Sequence, residues 1–103
     1  MSVKVELKPL FSRQKSFYGK AYCHHSKDYT ALQSYETFVV GVNHVDGIVF
    51  FPWSDYSATT ARHVVEFLKQ LGIYDKAIET MKNKGYKSFA QFLRQCTKWN
   101  YKE

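Results

Sequence analysis

The sequence predicts an α+β domain: a four- or five-stranded, mostly antiparallel sheet followed by two or three helices packed on one of its faces. Three observations lead there. Residues 3–51 hold short runs rich in Val, Phe and Tyr, bounded by polar turns. Residues 61–99 change to the i, i+3, i+4, i+7 spacing of amphipathic helices. At 103 residues the chain supports one core. The expected unit is therefore a single domain over 1–103, strand-rich over 1–52 and helical over 57–99.

The elements follow in order. Val3, Val5 and Leu7 alternate with Lys4, Glu6 and Lys8, a half-buried strand that Pro9 ends. Beyond a polar loop from Ser12 to Ser16, Phe17 to His24 reads as a second strand. Tyr29 to Asn43 holds one or two more, densest in β-formers over Thr37 to Val42. Asp46-Gly47 is a hairpin signal joining this run to Ile48–Phe51, and Pro52 stops the pairing. Ala61, Val64, Val65, Leu68 and Leu71 then share one helical face, with Arg62, Glu66, Lys69 and Gln70 facing away. Ser57, Thr59 or Thr60 caps its start. Gly72 followed by Ile73 closes it in the Schellman manner. Ala77, Ile78 and Met81 repeat the pattern, closed by Gly85 and Tyr86. Ser88-Phe89-Ala90-Gln91 is a capping box for a third helix, with Phe89, Phe92, Leu93, Cys96 and Trp99 on its apolar face.

Composition narrows the class. Apolar residues make up 45%, enough to fill a core, and the aromatic share of 17% is high enough that some rings reach the surface. The charged opening Met1–Glu6 lacks the apolar stretch of a signal peptide, and no apolar run approaches a membrane span. Two distant cysteines make no disulfide framework, so the expected setting is a reducing cytoplasm. Net charge is +6, made of +4 over residues 1–35, −3 over 36–60 and +5 over 61–103. Basic charge in two separate blocks suits a polyanion; a solvated surface tuned for solubility would look similar.

Few residues offer catalytic or metal chemistry. Cys23-His24-His25 resembles a metal cluster, but adjacent strand residues point to opposite faces, and no C-x-x-C or H-x-x-x-H pair supports it. No metal site and no cofactor are expected. Ser54, Ser57 and Cys23 lack a nucleophile elbow, and no Walker or G-x-G-x-x-G loop is present, so no catalytic residues are assigned and an enzyme is not expected. The stretch Trp53–His63 delivers hydroxyls to a helix start. There Tyr56, Ser57, Thr59, Thr60, Arg62 and His63 are candidates for seating an anionic group or nucleotide after Thr59. Simple capping explains the same residues.

Tyr56-Ser57-Ala58-Thr59-Thr60, with Arg62-His63 and Phe67-Leu68 after it, resembles a signature of small, uncharacterised phage and prophage proteins of Gram-positive bacteria. Lys15–Ala21 is similar to that family's N-terminal block, and Leu32–Thr37 to its tyrosine-containing strand. The likeness covers roughly the first two thirds of the chain and brings no activity with it. It implies an accessory protein of a mobile element in a bacterial cytoplasm. Proteins of that kind often bind host machinery, CRISPR–Cas effectors and other defence systems included.

Basic and aromatic residues interleave in two places. Arg13, Lys15, Tyr18, Lys20 and Tyr22 form the first set; Lys84, Lys87, Arg94, Lys98 and Trp99 form the second. Rings that stack on bases beside lysines that track phosphates are the pattern of single-strand binders. The reading is a non-enzymatic binding protein acting on nucleic acid or a host nucleoprotein machine. The alternatives are an anion binder at the helix start, and a protein-directed inhibitor or dimerising module. Positive net charge argues against a mimic of DNA.

Overall fold

The structure, a computed structural model, describes residues 3–11, 19–52 and 57–102. Six strands form one sheet: β1 (Val3–Glu6), β2 (Ala21–His25), β3 (Tyr29–Ser34), β4 (Thr37–Asn43), β5 (Ile48–Phe50) and β6 (Lys98–Asn100). They lie side by side in sequence order, each antiparallel to its neighbours. Between β5 and β6 come α1 (Ala58–Gln70), α2 (Tyr74–Asn83) and α3 (Phe89–Gln95). The expected α+β class is what the chain adopts, with one strand more than expected.

That extra strand corrects the reading of the third helix. Phe92 and Leu93 do face the core from α3, but the helix ends at Gln95 and Cys96 is already extended, at φ −91° and ψ 104°. Cys96 and Trp99 are buried as the apolar pattern required, yet they arrive there on extended chain. The physical gain is at the sheet edge. Without Lys98–Asn100 the outer backbone groups of β5 would go unpaired, whereas Val49 now lies opposite Trp99 and Phe51 N–H donates to the Thr97 carbonyl at 2.9 Å.

Helix termini behave as their sequences dictate. Ser57 accepts the Thr60 N–H at 3.1 Å, and Ser88 accepts the Gln91 N–H at 3.1 Å. The Gln91 side chain reaches back one residue beyond the cap, taking the Lys87 N–H at 2.7 Å. Both glycine closures are true Schellman motifs. Ile73 N–H donates to the Leu68 carbonyl and Gly72 N–H to that of Lys69. Tyr86 and Gly85 repeat this on Met81 and Lys82. Gly72 and Gly85 take φ of 76° and 81°, where a side chain would be strained.

The inward face of α1 is rotated from the expected one. Thr60, His63, Val64, Phe67 and Leu68 are buried, while Ala61 and Val65 are only partly so. Leu32, Val40, Val42 and Val49 of the sheet meet Val64, Phe67 and Leu68 of α1 and Phe92 and Leu93 of α3 in one core. The rotation exists because α1 is covered on a second side. Residues 8–11 run over it, and Glu66, expected in solvent, is 1% exposed beneath them. Its carboxylate accepts the N–H groups of Leu10 at 3.1 Å and Phe11 at 3.0 Å, and the Gln70 amide at 2.6 Å. Gln70 also donates to the Lys8 carbonyl at 2.7 Å. Removing this acceptor with Glu66→Ala strands two backbone donors and is expected to lower the unfolding free energy by about 2–3 kcal/mol. Urea denaturation measures it; a change below about 0.5 kcal/mol, the size of an ordinary surface substitution, would show that the clasp holds nothing.

Candidate nucleic-acid interface

Strand alternation gives the sheet two faces, and the helices occupy one. The opposite face is built by cross-strand rows. One row crosses the whole sheet: Lys4, His24, Ala31, Gly41, Phe50 and Lys98. The row beside it holds Glu6, Tyr22, Gln33 and Phe38. A lysine therefore stands at each edge, with rings between.

Phe38 reaches this face through a β-bulge. Leu32 lies opposite Val40, but Gln33 lies opposite Phe38, leaving Val39 as the extra residue. Strict alternation would put Phe38 inside with Val40. The bulge turns Phe38 out, 50% exposed, while Val39 and Val40 are both buried. The rings on this face are positioned rather than loose. Phe38 and His24 lie 4.9 Å apart between centroids, and His24 Nε2 is 2.8 Å from Gln33 Oε1. The Lys4 ammonium sits 4.4 Å from the centre of the Tyr22 ring. Tyr29 lies across Gly41, whose absent side chain makes the room: a Cβ there would fall on the Tyr29 hydroxyl. Phe50 and Tyr29 are each 38% exposed.

The residues singled out in the sequence distribute unevenly. Tyr22 and Lys98 lie on the open face, and Lys20 is exposed in the turn leading into β2. Arg13, Lys15 and Tyr18 fall outside the described residues. Lys84, Lys87 and Arg94 are exposed but scattered over the helical side. Arg94 lines a cleft of about 230 Å³ with Ser57 and Ala61, and Lys84 lines another groove with Lys98 and Trp99. Trp99 itself is a core residue, 3% exposed and packed on Phe51 and Phe92, so its indole ring is not a stacking surface. Composition alone did not single out His24, Phe38, Tyr29 or Phe50; the register brings them together.

The polar side chains of the helix start bond to one another and to the sheet. A chain of contacts runs inward from Ser57. Its hydroxyl lies 3.1 Å from Thr60 Oγ1, which lies 3.1 Å from Ser34 Oγ, which lies 2.8 Å from His63 Nδ1. Thr60 and His63, offered as ligand contacts, are buried, with His63 at 0% exposure. They sit three residues apart on the buried stripe of α1, and Ser34 at the end of β3 supplies the polar partner that a buried imidazole needs. Thr59 is half-buried, Ser57 is engaged in capping, and Arg62 points to solvent beside Phe11 and Val65; Tyr56 lies outside the described residues.

Cys23 and His24 point to opposite sides of β2, as alternation requires. Burial pushes the Cys23 thiol up to about 11, so at neutral pH it is protonated and a poor nucleophile. Among the described residues no three His, Cys, Asp or Glu side chains converge as a metal site would need.

The sequence profile of a family of unknown function, DUF8033, matches residues 5–89. The chain belongs to this family. Its profile runs from β1 to the first residue of α3, so it takes in five strands and leaves β6 outside. No curated protein and no solved structure matches the chain. Family membership carries no activity, which leaves the geometry of the open face as the basis for a functional reading. No helix among the described residues is long and apolar enough to cross a membrane.

Proposed function

We propose that this protein is a non-enzymatic module that binds single-stranded nucleic acid, alone or within a nucleoprotein machine, on the open face of its sheet. One observation carries the reading. Tyr22, His24, Phe38 and Phe50 share the face that no helix among the described residues covers, with Lys4 and Lys98 at its two edges. Exposed rings on a flat sheet accept unstacked bases, and flanking ammonium groups meet the phosphates on either side. The net charge of +6 favours the encounter. A role as an accessory protein of phage or prophage type in a bacterial cytoplasm, directed at host machinery, goes with this reading and is supported only by the sequence resemblance. The helix start is the weaker seat for a ligand, since Thr60 and His63 are bonded to Ser34 instead.

Fluorescence anisotropy with short single- and double-stranded oligonucleotides tests the proposal. Single strands are expected to bind better, because duplex bases cannot reach the rings. Affinity is expected to fall about tenfold between about 50 and 200 mM salt, the loss for roughly two or three neutralised phosphates on a single strand. Absence of binding at the lower salt, or equal binding of duplex, would defeat it.

A further inference from the structure

β1 lies at one margin of the sheet, and among the described residues no strand pairs with its outer side. The residue that follows β1 shows which of its backbone groups point outward. Leu7 N–H donates to the Ala21 carbonyl at 2.8 Å, and hydrogen-bonding residues alternate along an antiparallel strand. Val3, Val5 and Leu7 therefore turn their N–H and carbonyl groups toward β2, while Lys4 and Glu6 turn theirs to the outer edge. We infer that this edge pairs antiparallel with the β1 edge of a second copy of the chain. Val5 then faces the partner's Val5 across a twofold axis, and Lys4 faces the partner's Glu6.

Three observations select this occupant and this register. The first is backbone parity. Lys4 and Glu6 carry the outward N–H and carbonyl groups of β1, so an antiparallel copy must set these residues against each other. A slip by one residue leaves those groups without partners. The second is charge. Of the registers that parity allows, one sets Lys4 against the partner's Lys4 and one sets Glu6 against the partner's Glu6, both unfavourable. The register between them sets Lys4 against the partner's Glu6 on each side of the axis. Both side chains project from the open face, in the rows of His24 and Tyr22, and neither joins an ion pair among the described residues. Lys4 rests only on the Tyr22 ring, and Glu6 accepts the Gly19 N–H with one oxygen at 2.7 Å. The third is apolar surface. Val3 and Val5 lie on the helix side with buried Cys23, yet they are 59% and 48% exposed, so the helices leave this margin uncovered. On the twofold, Val5 and the partner's Val5 form a pair without mutual hydrogen bonds, where side chains approach most closely. A second copy thus answers backbone, charge and apolar surface with the same residues, and the pair closes as a dimer. Its sheet is continuous, with both open faces on one side. The contact is small, with two backbone hydrogen bonds at each Lys4–Glu6 position, which suits a weak and reversible dimer.

The inference does not rest on nucleic-acid binding, and its test uses none. Sedimentation equilibrium of the full chain, from about 10 µM to about 1 mM, is expected to show the mass rising from one chain to two. Lys4→Glu and Glu6→Lys each turn both cross-strand pairs into like-charge pairs. Each alone is expected to weaken the dimer about tenfold or more. The two variants mixed are expected to associate at least as tightly as the parent, because each then meets its opposite. The chain carrying both substitutions is expected to regain the parent's affinity. Circular dichroism checks that every variant is folded. Amide hydrogen exchange of the unsubstituted ¹⁵N-labelled chain reads the same contact with no substitution at all. The Lys4 and Glu6 amides are expected to exchange more slowly at the higher protein concentration. Those of Phe38 and Phe50 are expected to be unchanged, which separates edge pairing from association through the open face. A chain that stays monomeric throughout, a dimer that both single charge reversals leave intact, or Lys4 and Glu6 amides that gain no protection overturns the inference. So does growth beyond two chains, the product of head-to-tail pairing between β1 and β6.

Discussion

Phe92→Ala is expected to remove about 3–5 kcal/mol of stability, a large share of the roughly 5–15 kcal/mol that holds a domain of this size. Phe92 is fully buried and sits at the centre of a ring cluster that joins all the late elements. Its centroid lies 5.4 Å from Phe51 in an edge-to-face contact, 5.7 Å from Tyr86, and 5.9 Å from both Phe89 and Trp99. Truncation therefore opens a cavity against β5, β6 and the loop after α2 together, with rigid rings that collapse poorly into the space. Guanidinium unfolding followed by circular dichroism measures the change. Phe92→Leu, which keeps most of the volume, is expected to recover more than half of the loss. Equal instability of the two variants would mean that ring geometry, not filling, holds the cluster.

The second large effect concerns binding. Phe38→Ala with Phe50→Ala is expected to reduce affinity for a single strand roughly a hundredfold, since each stacked base is worth about 1–3 kcal/mol by alanine substitution. The same pair should leave the thermal midpoint nearly unchanged, because both rings are substantially exposed and face away from the core. That separation of affinity from stability is the diagnostic. Lys98→Ala is expected to reduce the salt dependence as well as the affinity, whereas the two phenylalanine changes reduce affinity at every salt concentration. If the double variant binds as well as the parent, the nucleic acid uses some other surface.

Features set by neighbouring residues were legible in the sequence, and features set by distant ones were not. Both Schellman closures, the Ser57 and Ser88 caps and the turn at Asp46-Gly47 follow from a few adjacent side chains, and all are present. The sixth strand was hidden because Cys96 and Trp99 continue the spacing of α3, and only the unpaired edge of β5, far away in the chain, decides that they are extended. Glu66 looked solvated for a similar reason. Its partners Leu10 and Phe11 stand 56 and 55 residues away in sequence. The open face was half-legible: Tyr22 and Lys98 were recognisable as candidates, but the Val39 bulge inverts the alternation that would assign Phe38. Thr60, His63 and Trp99 show the converse. They were singled out for their chemistry, and the fold buries them against Ser34, Phe51 and Phe92, which no local pattern announces.

The most direct test of the open-face account is a map of binding onto the sheet, by titrating ¹⁵N-labelled protein with a short single-stranded oligonucleotide at low salt. The account predicts the largest amide shifts at Lys4, Tyr22, His24, Phe38, Phe50 and Lys98, with little change at Arg62 and Lys69 on α1. Shifts concentrated on the helices would contradict it. So would shifts on the open face that depend on protein concentration without nucleic acid, which would make that face an interface between proteins.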